Sequence, residues 1–169
     1  MPRPHSSEIS PFQQKYIDHA IGNDALDVIN QSVAPLKDFL HSLPESKANF
    51  AYASGKWTLV QLLQHLVDTE RILAFRALCI ARGEHQNLPG FDENDYAAHA
   101  PANNRTVKSL SEEMLLIRQT TLLLYQSFSD DDLARQGLAN GHSTSANALA
   151  FILVGHALHH RRLVLDWYL

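Results

Sequence analysis

The sequence predicts an all-α protein, a four-helix bundle with a long crossover between its second and third helices. Apolar residues recur every three or four positions in four separate segments, which is the spacing of one helix face. No run of alternating β-branched residues indicates a sheet. About 25 residues rich in proline, glycine and asparagine separate the second segment from the third, a length typical of a crossover.

The first predicted helix begins after an N-cap at Asp24 and ends before Pro44. Pro35 lies within it and should kink or divide it. Ahead of this helix, residues 11–21 could form a short helix that Gly22 closes, so that residues 1–22 extend a single domain spanning 1–169. The apolar stripe of the first helix consists of Leu26, Ile29, Val33, Leu36, Leu40 and Leu43.

The other three helices have equally clear apolar stripes. The second is predicted from an N-cap at Thr58 to about Arg82, and the third from about Ser109 to Phe128, with Ser109 or Ser111 as its cap. The fourth follows the turn-rich residues 140–143 and runs to the C-terminus. The positions of the fourth helix that share one core-facing register are Leu149, Leu153, His156, His160, Leu163 and Trp167.

Bulk composition limits the functional classes. The 169 residues suit one domain, and the formal net charge of -4 argues against a nucleic-acid partner. Cys79 is the sole cysteine, so no intrachain disulfide can form and a cytoplasmic setting is expected. No signal peptide or membrane-spanning stretch is recognised, so no membrane partner is expected. The expected partner is a small-molecule substrate. A homodimer is compatible with a small bundle.

Two of the ten histidines interrupt the core-facing stripe of the last helix. His156 and His160 lie four residues apart, which places their β-carbons about 6 Å apart on one helix face. His65 lies among leucines on the second predicted helix. Three imidazoles from facing helices could bind one divalent metal ion in the bundle core and leave a position open for water.

Alternatives to this ligand set remain. His159 could also face His156, but the stripe favours His160 as the ligand and leaves His159 to line a pocket. Asp68 could orient a ligand or act as a base, although a solvated or ion-paired role is favoured for it and for Glu70. Histidine pairs at this spacing also occur in cores that bind no metal. The glutamate of helical zinc proteases is replaced by Ala157, so a protease is not supported.

Several segments resemble the DinB/YfiT-like superfamily of metal-binding four-helix bundles. The similarity covers most of the chain from Tyr16 onward and keeps the family's order. The matching segments are Gly55-Lys56-Trp57-Thr58-Leu59, His65-Leu66-Val67-Asp68-Thr69-Glu70-Arg71, Arg76-Ala77-Leu78, Ala81-Arg82-Gly83-Glu84, Leu88-Pro89-Gly90-Phe91-Asp92 and Gly155-His156-Ala157-Leu158-His159-His160.

The resemblance implies an up-up-down-down bundle in which His65, His156 and His160 bind a divalent metal ion, with nickel and zinc as the leading candidates. Characterised relatives include S-transferases that use a low-molecular-weight thiol and a thiol-dependent isomerase, while others are described as metal-dependent hydrolases. Arg161 or Arg162, which follow the histidines, could bind an anionic substrate group.

These expectations lead to two functions from different classes. The first is a metal-dependent enzyme that activates a thiol or water for S-transfer or hydrolysis. The alternative is a non-catalytic, metal-containing module for stress response or small-ligand binding, because the sequence offers no evident general base. The catalytic residues themselves are not identified by the sequence.

Overall fold

The computed structural model describes residues 2–100 and 104–169, and this part of the chain is mostly helical. Short 3-10 helices span Ser6–Glu8 and Glu45–Lys47. The α-helices are α1 (Pro11–His19), α2 (Ala25–Ser42), α3 (Leu59–Ala81), α4 (Glu93–His99), α5 (Val107–Gln126), α6 (Asp130–Ala134) and α7 (Ala146–Trp167).

The four long helices α2, α3, α5 and α7 form the predicted bundle. Both α2 and α3 pack against α5 and α7, and the buried apolar residues form two clusters, one that includes Phe151 and one that includes Leu63. The connection between α3 and α5 is the predicted crossover, and it contains the short helix α4. The up-up-down-down order of the helices stays a prediction.

Local capping fixes where the long helices begin. The Asp24 side chain accepts a hydrogen bond from the Asp27 amide, and the Thr58 side chain accepts one from the Gln61 amide, as the two predicted caps require. The prediction for α5 was wrong by two residues, because Thr106 caps this helix and accepts from the Ser109 amide. Neither predicted serine is therefore the cap.

Of the two effects predicted for Pro35, division does not occur, because α2 continues through this residue. The register of the predicted stripes also differs in detail. Leu26 and Trp167 are 40% and 62% exposed, although the stripes placed them in the core. Val28 in α2 and Val164 in α7 are buried instead, because the buried face of a helix drifts from a strict heptad along its length.

A two-stranded antiparallel sheet corrects the expectation that the chain contains none. Strands β1 (Gln136–Ala139) and β2 (His142–Ser145) are joined by Asn140 and Gly141, which have positive φ angles of 51° and 75°. An Asn-Gly pair with this conformation is typical of a tight hairpin turn. Leu88 in the crossover exchanges backbone hydrogen bonds with this hairpin, which pins the crossover over one end of the bundle.

The N-terminal helix α1 packs against α7. Gly155 permits this contact, since a β-carbon there would overlap the backbone oxygen of Tyr16.

None of the helices in residues 2–100 and 104–169 is both long and apolar enough to span a membrane.

Candidate metal centre

Helices α3 and α7 bring three histidine side chains together. The Nε2 atom of His156 lies 2.9 Å from Nε2 of His65 and 3.1 Å from Nε2 of His160. The potential ligand atoms of the three residues all lie within 4.8 Å of one another. This convergence was expected from the register of α7 and the position of His65 on α3.

Hydrogen bonding among the rings cannot fully account for this arrangement. A neutral imidazole nitrogen carries either a hydrogen or a lone pair, so Nε2 of His156 cannot donate to one neighbour while accepting from the other. Three lone pairs directed at one point suit a shared cation, with the hydrogens on the opposite Nδ1 atoms. Imidazole donors favour zinc, nickel, copper and iron over magnesium or calcium.

Burial keeps these histidines neutral. His156 is only 7% exposed, and desolvation lowers its pKa well below the ordinary value, helped by the nearby histidines. Desolvation also lowers the pKa of His65 to about 4 and that of His160 to about 3. Neutral imidazoles are the form that binds metal, so all three can serve as ligands at neutral pH.

The rings are held mainly by packing. The Trp57 ring centroid lies 4.8 Å from that of His65, and the Tyr16 ring meets His156 edge-on at 5.4 Å. The Thr69 hydroxyl lies 3.4 Å from Nδ1 of His65, where it can accept the Nδ1 hydrogen. Nδ1 of His160 is buried without a hydrogen-bond partner among residues 2–100 and 104–169.

The three histidines border a cavity of about 500 Å³. Its walls come from α1, α3, α7, the crossover and the β-hairpin. Aromatic side chains, among them Phe12, Tyr16 and Phe91, cover much of the wall, and the charged side chains that border it are Lys15, Arg76 and Glu93. A volume of this size accommodates a small organic molecule.

Comparison with known proteins places the chain in a family. The family model of the DinB superfamily matches residues 30–164. The chain belongs to the DinB superfamily. This result confirms the resemblance that the segments around His65 and His156 indicate.

A solved structure agrees with this membership of the DinB superfamily. YfiT from Bacillus subtilis, described as a probable metal-dependent hydrolase with an unusual four-helix bundle topology, aligns with a TM-score of 0.70 and 18% sequence identity. The alignment covers 97% of this chain and 90% of that chain, so the two share a fold over nearly their full lengths. No curated protein matches the chain in sequence.

In this DinB-superfamily chain His159 lines a pocket, as the sequence analysis suggested. It borders the cavity, and its ring lies 5.1 Å from that of His160 and 5.7 Å from that of Tyr16. Burial and the positive charge of Lys15 lower its pKa. The His19 ring on α1 stacks on that of His159, with centroids 6.4 Å apart.

Asp68 and Arg161 do not border the histidine cavity. Asp68 accepts a hydrogen bond of 2.9 Å from Gln64 and lines a separate, open cavity beside α4. Arg161 lies over the Phe39 ring on another side of α7. The physical reason is helical geometry, because each step of one residue turns the side chain by about 100°. Position 69, rather than 68, continues the row of His65.

The other charged candidates have structural partners. Glu70 forms a buried ion pair with Arg118, with contacts of 2.6 and 2.7 Å, which agrees with the structural role favoured for it. Arg162 is exposed and lies 3.6 Å from Asp166, one turn along α7. Neither residue borders the histidine cavity.

Sequence reasoning did not identify Tyr16, Lys15 or Arg76 as cavity residues. Tyr16 and Lys15 lie on the predicted N-terminal extension, and its docking on α7 depends on long-range packing at Gly155. Arg76 had a usable signal, since it continues the helical row of His65 and Thr69 on α3. An arginine that shares a core-facing helical row with His65 and Thr69 suggests a buried functional charge.

Proposed function

We propose that this DinB-superfamily chain is a metal-dependent enzyme in which His65, His156 and His160 bind one divalent ion, with nickel or zinc as candidates. The convergence of three Nε2 atoms at the cavity wall carries the proposal. A divalent ion held there would lower the pKa of a bound water or thiol and so supply a nucleophile for hydrolysis or S-transfer.

The surrounding residues would prepare the site for this chemistry. Burial holds the imidazoles neutral, and the Thr69 hydroxyl favours the His65 tautomer with its hydrogen on Nδ1. Trp57 and Tyr16 fix the planes of His65 and His156 by ring contacts. The cavity restricts the substrate to a small molecule and limits the access of water.

Two observations favour different branches of this proposal. The description of YfiT as a probable metal-dependent hydrolase supports hydrolysis. S-transfer demands less of the cavity wall, because a thiol loses its proton more readily than water does. Glu93 is the single carboxylate that borders the cavity within residues 2–100 and 104–169 and is exposed, so hydrolysis would use His159, whose pKa is lowered, as its general base.

Metal analysis tests the ligand set. We expect the wild type loaded with zinc and then freed of excess metal to retain one ion per chain, and His156→Ala to retain none. His159→Ala should keep its metal, since His159 is not one of the three ligands. His41→Ala, an exposed histidine on α2, controls for the loss of any imidazole. Full metal content in His156→Ala would refute the site.

An activity screen separates the branches. The zinc- and nickel-loaded protein is assayed against ester and amide panels, and against monochlorobimane with several low-molecular-weight thiols. Turnover that requires a thiol identifies S-transfer, and turnover without one identifies hydrolysis. Retention of the metal with no turnover in either assay would favour a non-catalytic binding module.

A further inference from the structure

Arg76 is a buried cation that borders the same cavity. The residue is 8% exposed and lies on α3. Its Nη2 atom donates a hydrogen bond of 2.6 Å to the Pro89 carbonyl in the crossover. No carboxylate within residues 2–100 and 104–169 forms an ion pair with it, whereas the other buried arginine, Arg118, is paired with Glu70.

The hydrogen bond that anchors the crossover uses only some of the N–H donors of the Arg76 guanidinium. The Pro89 bond uses one of its five N–H donors, and the Phe91 ring lies 5.9 Å from its central carbon. Nε and Nη1 have no hydrogen-bond partner among the described residues. A buried cation without a counter-charge is costly, so a site of this kind is better suited to an anion than to remaining empty.

The position of Arg76 relative to the histidines indicates the shape of the ligand. His65, Thr69, Leu73 and Arg76 all border the cavity and follow one face of α3. Arg76 lies 11 residues after His65, which is about 16 Å along the helix axis. The wall between the two ends is mixed: Leu73 on α3 and Leu149 and Ile152 on α7 form an apolar stretch, and polar side chains such as Thr69 and Thr144 also border it.

We infer that Arg76 binds a carboxylate or phosphate group at one end of an elongated small molecule, which has an apolar segment in its middle and whose other end reaches the three histidines. The inference rests on the proposed function for the histidine end and on the unpaired guanidinium for the anionic end. Planar N–H pairs of arginine match the oxygens of both anions. Arg76 therefore takes the role that the sequence suggested for Arg161 or Arg162.

Glu93 is the one negative charge on the described wall that an anion would meet. It forms no ion pair with Arg76, and its charge adds to burial in raising the pKa of Tyr16. Its exposed position leaves it solvated. Lys15, which also borders the cavity, is exposed like Glu93, so the buried Arg76 is the charge that favours an anionic ligand.

Calorimetry with octanoate, octyl phosphate and 1-octanol tests the anionic end on the full-length protein. We expect the metal-free wild type to bind at least one of the two anions about tenfold or more tightly than the alcohol. The better anion shows which group the site prefers. Arg76→Gln should lose this preference, and Arg71→Gln, an exposed arginine outside this cavity, should keep it. Equal binding of all three probes to the wild type would overturn the inference.

Folding of the variant is checked separately. If Arg76→Gln does not fold, Arg76→Lys retains the charge and should keep a reduced preference for the anion. Full, undiminished preference in folded Arg76→Gln would show that another residue binds the anion and would also overturn the inference.

A thiol probe tests the other end and separates this inference from the proposed function. The zinc-loaded protein should bind 8-mercaptooctanoate more tightly than octanoate, and Arg76→Gln should weaken it. Mercaptoacetate, too short to reach both ends, should be insensitive to Arg76→Gln. If zinc gives the thiol no advantage while octanoate still depends on Arg76, the metal proposal fails and the anion site stands. If mercaptoacetate depends on Arg76 as strongly as the long thiol does, the elongated shape is wrong.

Discussion

Two buried polar clusters each include one residue of α3, Glu70 in the first and His65 in the second. They differ in whether all of their hydrogen-bonding atoms can be paired within the chain. In the first, Nε and Nη2 of Arg118 donate to the two oxygens of Glu70, and Nη1 donates to Ser32. In the second, Nε2 of His156 faces Nε2 of both His65 and His160. The ion pair is complete within the chain, whereas in our proposal a metal ion completes the histidine cluster.

We therefore expect the Glu70 cluster to contribute to stability and the His65 cluster to bind a ligand, even though both involve α3. A fully paired buried cluster specifies packing, and its members need no external partner. An unsatisfied cluster that borders a cavity costs folding free energy and is retained where a ligand supplies the missing interaction. The two clusters should therefore respond differently to mutation, to pH and to metal.

Among the single substitutions, breaking the ion pair should have the largest effect on stability. We expect Glu70→Ala to lower the free energy of unfolding by about 3–5 kcal/mol, because it leaves the Arg118 charge buried and unpaired. Urea denaturation measures this loss. Zinc binding by the folded fraction should be unchanged. The double variant Glu70→Leu with Arg118→Met should recover most of the stability, and a loss below about 1 kcal/mol in Glu70→Ala would contradict a structural role.

Acid should weaken the metal-free protein through the histidine cluster. The unfolded histidines bind protons below about pH 6.5, whereas folded His65 and His160 bind them only near about 4 and 3. The unfolded state thus holds more protons, and stability falls as pH drops from about 6.5 to 4, by up to about 1.4 kcal/mol per pH unit for each histidine.

Urea denaturation in the presence of chelator measures this pH dependence. His156→Leu should show a shallower slope, and His41→Ala should match the wild type. Each of the three clustered histidines can be replaced in turn. If the slope keeps its wild-type value in every case, other groups titrate on unfolding.

Filling the space at Gly155 should disturb the histidine site through α1. Gly155→Ala places a methyl group against the Tyr16 backbone, and overpacking of this kind costs about 1–3 kcal/mol. Displacement of Tyr16 from His156 should also weaken zinc binding. Because the clash involves backbone atoms, adding Tyr16→Ala should not restore stability. Wild-type stability in Gly155→Ala would show that α1 moves freely from α7.

The smallest expected effect concerns Thr69. Thr69→Val removes the hydroxyl near Nδ1 of His65. It should lower zinc affinity by roughly tenfold, which is the lower end of the loss seen when a hydrogen-bond partner of a metal ligand is removed. Competition with a zinc chelator measures the change. Thr120→Val, whose hydroxyl donates to the Ile117 carbonyl on α5, is the matched control and should bind zinc as the wild type does.

Helical periodicity predicted the four long helices and placed His156 and His160 on one face, and the family resemblance implied that His65 joins them. The caps at Asp24 and Thr58 are local hydrogen bonds, so neighbouring residues specify them. His156 and His160 share a face because four residues make nearly one turn, a relation that tertiary packing does not alter.

Features that depend on long-range packing were not predictable in this way. The positions of Asp68 and Arg161 outside the cavity instead follow from helical rotation, because each lies one residue, or about 100°, from a cavity residue. The β-hairpin has a clear local signal at Asn140 and Gly141, but its short strands lack a period-2 apolar pattern. The docking of α1 depends on Gly155, 135 or more residues along the chain.

X-ray absorption spectroscopy at the metal edge of the zinc- or nickel-loaded protein tests the shared metal site most directly. We expect a first shell that contains three imidazole nitrogens, with the characteristic outer-shell scattering of the rings, and a loss of that scattering in His156→Ala. A first shell with one imidazole or none would contradict the convergence of His65, His156 and His160 on one ion.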